Sequence, residues 1–254
     1  HSDLRRQRQM CIRDSHPETH ITGLAPYFRE MVKQEAKAIL AATGATNSYG
    51  EDVNIYTDGL KIYTTLDANM QKHAEWAVEE HLGNELQALL DDDVADNKNY
   101  PFSNEISSTN ADVYLLTEMT KSDRYKNLSA LGWTEEKIRE NFNTKTTLKV
   151  FDWNSKGHSK VVEMSPMDSI KYHMKVLRVG LVSIDPKTGF IKAYVGGPDY
   201  EWFKYDYAKD SKRQVGSTIK PFVYAAGIEA GVITPCTQVP MIEYCVELDD
   251  GSMW

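Results

Sequence analysis

Residues 179–195 read VGLVSIDPKTGFIKAYV, and their patterning decides the fold class. Gly180-Leu181-Val182-Ser183-Ile184 and Phe190-Ile191-Lys192-Ala193-Tyr194-Val195 are two β-prone runs. Between them, Asp185-Pro186-Lys187-Thr188-Gly189 holds the residue types that a chain reversal demands. The spacing predicts an antiparallel hairpin that opens a sheet. Downstream, an aromatic-rich connection (Tyr200, Trp202, Phe203, Tyr205, Tyr207) is expected to pack in the core and at its rim, under the next helix. It leads to a basic turn, Lys212-Arg213-Gln214, and to that helix, which should end near Gly231, ahead of Pro235. Strands first and a packing helix after them predict an α+β domain.

Working upstream, two β-prone runs between Thr147 and Met164 flank Asn154-Ser155-Lys156-Gly157, a second hairpin signal. Ser165-Pro166 with Asp168 reads as a capped helix start, the helix running to about Leu177. From Asp91 to Asn110 the chain is acidic and rich in Asn and Ser, which predicts a loop-rich insertion; a shorter helical stretch anchored by Trp133 then leads to Thr146. Leu60 to Thr65 alternates like a strand. Asp67 is placed to cap a helix whose apolar face is Met70, Ala74, Ala77, Val78 and Leu82. Leu24, Phe28, Met31, Val32, Ile39 and Leu40 recur at helical spacing, with Pro26 in a first turn and Gly44 beyond the end. The region ahead of residue 179 is therefore a mixed α/β linker.

The 254 residues are 41% hydrophobic, enough for a substantial core. Lys and Arg number 29 against 37 Asp and Glu, a net charge of −8 with no basic stripe, which argues against nucleic acid as a partner. No stretch approaches the ~18 to 20 consecutive apolar residues of a membrane span. Cys11, Cys236 and Cys245 lack metal-ligand spacing; Cys236 and Cys245 read as free buried thiols, a pairing in an oxidising compartment being the alternative. Residues 4–15, LRRQRQMCIRDS, have no periodicity and read as a non-native leader. With no initiator Met and an end at Gly251-Ser252-Met253-Trp254 in mid-pattern, both termini are expected to be truncations.

The chemistry concentrates in residues 213–231, RQVGSTIKPFVYAAGIEAG. Ser217 and Lys220 stand three apart, so at the start of a helix they share a face and the lysine nitrogen is placed to reach the hydroxyl. Pro221 is tolerated only in a first turn, which puts Ser217 at the helix N-terminus, where unpaired N–H groups favour developing negative charge. A serine becomes nucleophilic when a base takes its proton, and a lysine serves once burial or positive neighbours lower its pKa; Lys212 and Arg213 are candidate neighbours. As a bare pattern the spacing arises by chance about once in a chain this long. An N-cap serine with a solvated lysine after it is the plain alternative.

The surrounding sequence resembles the active-site segment of class A, bifunctional penicillin-binding proteins, whose serine transpeptidases carry Ser-x-x-Lys. Residues 24–30 (LAPYFRE) resemble the exit from that family's glycosyltransferase domain, and residues 56–67 (YTDGLKIYTTLD) with Gln71 the start of its transpeptidase region. Residues 165–170 (SPMDSI), Gly180 to Gly189 and Gly196-Gly197 are similar to the lead-in to the catalytic serine. Thr234-Pro235-Cys236 with Trp254 is similar to the family's segment on the C-terminal side of that serine. Phe151-Asp152-Trp153 with the SPMDS helix is similar to the Bacteroidetes branch.

The resemblance implies an organisation: 1–15 leader, 16–54 exit from a missing glycosyltransferase domain, 55–178 linker and start of the transpeptidase region, 179–254 the N-terminal part of an incomplete transpeptidase fold. It implies Ser217 as nucleophile and Lys220 as general base of a D-Ala-D-Ala transpeptidase or carboxypeptidase that works through an acyl-enzyme. Peptidoglycan stem peptides and lipid II-derived glycan strands would be its substrates, β-lactams its inhibitors, and the periplasmic side of the inner membrane its place. No metal or organic cofactor is implied.

That family also needs a Ser-x-Asn and a Lys-Thr-Gly after the serine. Ser108-Thr109-Asn110 and Lys187-Thr188-Gly189 both precede Ser217, the first in a polar loop and the second in a hairpin turn, and both read as coincidences. The pocket motifs are expected beyond Trp254, and the chain alone to be inactive. The competing readings are a docking module for envelope regulators, with the acidic insertion as its contact surface, and a serine β-lactamase, in which the segments before residue 146 have no place.

Overall fold

The computed structural model describes residues 23–239 with residues 245, 247, 251 and 252. The chain divides into two compact units, His1–Ser211 and Lys212–Trp254.

In the first unit, helix α1 (Pro26–Thr43) begins with Pro26 in its first turn and ends at Gly44 in a left-handed conformation (φ 58°), whose N–H closes on the Leu40 carbonyl. Both boundaries come from local chemistry: proline lacks the N–H that a first turn leaves unpaired, and glycine reverses the backbone without a Cβ penalty. Tyr27 and Phe28 are buried against Tyr194. Helix α2 (Ala68–Ala77) is capped as the sequence predicts: the Asp67 carboxylate accepts from the N–H groups of Asn69 and Met70, bonds that hold its pKa below the usual carboxylate value.

Of the expected apolar face, Ala74, Val78 and Leu82 do pack in the core, but its first residue differs. Met70 is exposed, while Gln71 is fully buried. Its amide nitrogen donates to the Tyr194 carbonyl (2.8 Å) and its amide oxygen accepts from the Tyr194 N–H (2.7 Å), so one side chain does the work of a neighbouring strand. The strand expected over Leu60 to Thr65 does not form. That segment meets its neighbour only at its end, where Thr65 Oγ1 donates to the Ile191 carbonyl and Asp67 N–H to the Lys192 carbonyl, and Leu60, Ile62 and Tyr63 remain exposed.

From α2 the chain continues without a break into a π-helical segment (Val78–Leu86) and helix α3 (Gln87–Asp93). Gly83 in the π segment has no alternative: a Cβ there would lie 2.6 Å from Trp153 Cδ2 and Cε3. Gln87, buried like Gln71, donates to the Lys175 carbonyl and accepts from Leu177 N–H. Asp91 to Asp93, expected to open a loop, finish α3. After an irregular stretch come three helices, α4 (Ser108–Lys121), α5 (Asp123–Ala130) and α6 (Glu135–Asn143). Met119, Ile138 and Phe142 form their core, with Trp133 packed against it.

Strands β1 (Thr146–Phe151) and β2 (Ser159–Met164) pair antiparallel from Thr146 opposite Met164 to Phe151 opposite Ser159, around the expected turn. Helix α7 (Pro166–Lys175) starts at Ser165, which accepts from Asp168 N–H and donates to the Asp168 carboxylate. Strands β3 (Leu181–Ile184) and β4 (Ile191–Val195) form the second hairpin, with a register shift at Ser183/Ile184 and Gly189 at φ 71°. Among the described residues there are two separate two-stranded sheets rather than one larger sheet. Phe203 from the aromatic connection is buried with Phe151, Trp153, Val176 and Val195, while Tyr205 is exposed. Arg178 ties this core together: its guanidinium lies over the Phe203 ring and donates to the carbonyls of His173 and Val176.

Candidate active site

The second unit carries the sequence-predicted pair. Gly216 takes a left-handed conformation (φ 54°) and starts a 3₁₀ turn (Gly216–Ile219) that runs directly into helix α8 (Lys220–Glu229). The turn is closed by local bonds: Thr218 donates its hydroxyl to the Val215 carbonyl at 2.8 Å, and Lys220 N–H closes on the Ser217 carbonyl. Ser217 thus lies in the 3₁₀ turn and Lys220 is the first α-helical residue. Residues three apart eclipse in 3₁₀ geometry, so the junction keeps the two side chains on one face. Pro221 sits in the first helical turn, as its missing N–H requires.

Beyond Glu229 the helix stops at Ala230, Gly231 (φ 68°) turns the chain, and Val232 N–H returns to the Gly227 carbonyl. Every residue from Lys212 to Phe222 is exposed, Ser217 and Lys220 among them, and neither of those two side chains forms a hydrogen bond to a described residue. Helix α8 is apolar around its circumference, with Phe222, Val223, Tyr224 and Ile228 exposed. Cys236 and Cys245 are free and exposed, not buried as the sequence suggested; Cys11 lies outside the described residues. The Ser-x-Asn and Lys-Thr-Gly triplets both belong to the first unit, each with a local role. Ser108 to Asn110 make the first turn of α4, not a loop, because the Ser107 hydroxyl caps Asn110 N–H. Lys187 and Thr188 bond to the Asp185 carboxylate within the β3–β4 turn.

Sequence reasoning missed two histidines in the first unit. His173 is mostly buried in the Phe151–Trp202–Phe203 environment; its Nδ1 donates to the Ser169 carbonyl (2.8 Å) and its Nε2 accepts from Phe151 N–H (3.2 Å). Burial is the main cause that lowers its pKa, and the accepting Nε2 fits a neutral ring. His158, with the unusual φ of 49°, reaches Asp199 Oδ2 at 3.0 Å and Glu79 Oε1 at 3.7 Å, and the hydrogen bond to Asp199 chiefly raises its pKa. Neither partner is near it in sequence, which is why no local pattern announces the group.

Ser217 and Lys220 thus share one face at a helix start in the second unit, while the antiparallel hairpins and packed helices belong to the first. Residues 97–177 match the penicillin-binding protein middle domain, and residues 179–249 match the penicillin-binding protein transpeptidase domain. The chain carries sequence of both domains in that order. It is 28% identical to penicillin-binding protein 1A of Escherichia coli (strain K12) over 97% of this chain and 30% of the relative. It is 31% identical to penicillin-binding protein 1A of Aquifex aeolicus (strain VF5) over 85% and 27%, and 29% identical to penicillin-binding protein 2D of Bacillus subtilis (strain 168) over 59% and 20%. The chain spans about a third of the length of the curated relatives it matches. No solved structure gives a significant match.

Proposed function

We propose that this chain is part of a peptidoglycan synthase, in which Ser217 is the nucleophile and Lys220 the general base of a penicillin-sensitive transpeptidase. The observation that carries the reading is the Ser217–Lys220 junction of 3₁₀ turn and helix, lying inside the residues that match the transpeptidase domain. Lys220 takes the Ser217 proton as Oγ attacks the carbonyl of the penultimate D-Ala in a stem peptide. The ester forms, the terminal D-Ala leaves with a proton, and an acceptor amine displaces Ser217 to complete the cross-link, or water does so in a carboxypeptidase reaction. β-Lactams acylate the same hydroxyl. The protein acts at the periplasmic side of the inner membrane, on glycan strands made from lipid II by the glycosyltransferase expected ahead of residue 16, and its origin is Bacteroidetes-like.

A lysine acts as a base only where surroundings favour its neutral form. Lys220 is exposed among the described residues, so the chain alone is expected to be inactive and the full-length protein active. The test is intact-mass spectrometry of full-length protein after incubation with a fluorescent penicillin, then peptide mapping. A stable adduct on Ser217, absent from Ser217→Ala, is the expected result; folded protein with no adduct would leave Ser217 as a helix-start residue and favour the docking-module reading.

A further inference from the structure

The backbone around Ser217 is held by two overlapping closures. In the first, the Val215 carbonyl accepts twice from Thr218, from its hydroxyl at 2.8 Å and from its N–H at 3.3 Å. In the second, the Ser217 carbonyl accepts from Lys220 N–H. Ser217 lies inside the first ring and opens the second, so bonds to these two carbonyls set the torsions on both of its sides. Val215, Ser217, Thr218 and Lys220 are all exposed. Water competes for bonds of this kind, so each contributes little to overall stability. What the closures fix is direction: where the Cα–Cβ bond of Ser217, and with it the hydroxyl, leaves the turn.

Gly216 completes this geometry. Its φ of 54° is left-handed, a region that glycine enters freely and other residues rarely do. A Cβ on this residue would meet nothing within 4 Å, so the torsion and not the space calls for glycine. The hydroxyl bond of Thr218 is a common kind, and Thr117, Thr120 and Thr144 also return their hydroxyls to carbonyls three or four residues back. Those three lie within helices or at a helix end, where the main-chain ladder already fixes the backbone. Thr218 stands ahead of α8, just after residues 211–215, which have no regular structure, and its hydroxyl doubles the main-chain bond that closes on Val215.

We propose that Gly216 and Thr218 are positioning residues for acyl transfer at Ser217: the left-handed glycine and the hydroxyl bond to Val215 hold the serine side chain in line with Lys220. Both roles rest on the transpeptidase reading, and both act through Ser217 without contact to the substrate. A displacement of about 1 Å in a reacting group costs on the order of a hundredfold in rate, so a loosened turn is slow even when the protein stays folded.

The test is acylation of the full-length protein by benzylpenicillin, followed by intact-mass spectrometry over time and penicillin concentration. In that step Ser217 Oγ bonds to the lactam carbonyl carbon, the ring C–N bond breaks and the ring nitrogen takes the proton. Thr218→Val keeps the branched shape and loses the hydroxyl. It should lower the limiting acylation rate at least about tenfold, with the half-saturating penicillin concentration and the melting temperature unchanged. Thr218→Ser, which keeps a hydroxyl, should recover most of the rate. Gly216→Ala should also be at least about tenfold slower, and Gly216→Asn less so, because asparagine tolerates the left-handed region. A wild-type rate in Thr218→Val, no recovery in Thr218→Ser, or equal rates for the two Gly216 variants would each overturn the proposal and leave the transpeptidase reading standing. Folded wild-type protein that forms no adduct on Ser217 would overturn both.

Discussion

Helices α6 and α8 are nearly equal in length and opposite in design. Helix α6, EEKIRENFN, is mostly charged, yet it buries Ile138 and Phe142 almost completely against Met119. Helix α8, KPFVYAAGIE, is mostly apolar, yet none of its side chains is buried. A helix with two buried residues on one face needs one partner surface, and α6 has it in α4 and α7. A helix apolar all round is designed for enclosure from several sides, and the described residues give α8 none. Helix stability in proteins comes chiefly from such packing rather than from propensity, so α6 should be the firmly held element and α8 the weakly held one.

The sharpest way to break this comparison is a pair of truncations. Phe142→Ala should destabilise the first unit by about 3–5 kcal/mol, read by denaturant unfolding. Phe222→Ala should change stability by less than about 0.5 kcal/mol in this chain. If Phe222→Ala proved as costly, α8 would have a packing partner after all. Next in size, Gly83→Ala should cost about 1–3 kcal/mol by pushing Trp153 out of its seat. Gln71→Ala should cost a similar amount by stranding both backbone groups of Tyr194. Both losses should appear as lower midpoints of the same unfolding transition.

The smallest effects separate the two histidines by sign. His158 has a raised folded pKa, so its contribution is complete below its unfolded value, about 6.5, and fades as the pH rises through the folded value. His173 has a lowered one, so its contribution is complete above about 6.5 and is lost as the pH falls through the folded value. His158→Gln should therefore be more damaging at pH 5.5 than at pH 8.5, and His173→Gln more damaging at pH 8.5. Unfolding midpoints of both variants across that range check the crossing.

What the sequence made legible was local. The proline and glycine that bound α1, the Asp67 and Ser165 caps and both hairpin turns are each specified by residues within a few positions of one another, and the structure has all of them. The alternation of Leu60 to Thr65 misled because alternation describes a strand only where a neighbour supplies the ladder, and β4 meets this segment at its end alone. Gln71 escaped because a polar side chain on an apolar helical face looks misplaced until the backbone 123 residues away is known. Ser217 and Lys220 were legible as a pattern, and their spacing survives in the 3₁₀ turn. The enclosure that would make Lys220 a base is nonlocal, and no run of residues encodes it.

The π-helical stretch between α2 and α3 sets a phase. From Gln71 to Gln87 is 87 − 71 = 16 residues. At about 100° per residue an unbroken α-helix would leave the two amides about 160° apart, on opposite sides of the rod. Wider turns, with bonding to the fifth residue, rotate less per step and so subtract from that angle. Gln71 grips the backbone of β4 while Gln87 grips the backbone between α7 and β3, and Val78 between them belongs to the same core cluster as Val176 and Val195. The irregular segment is the gear that lets one continuous rod read two distant stretches of main chain, and removing a single residue from it would turn one of the two readers away.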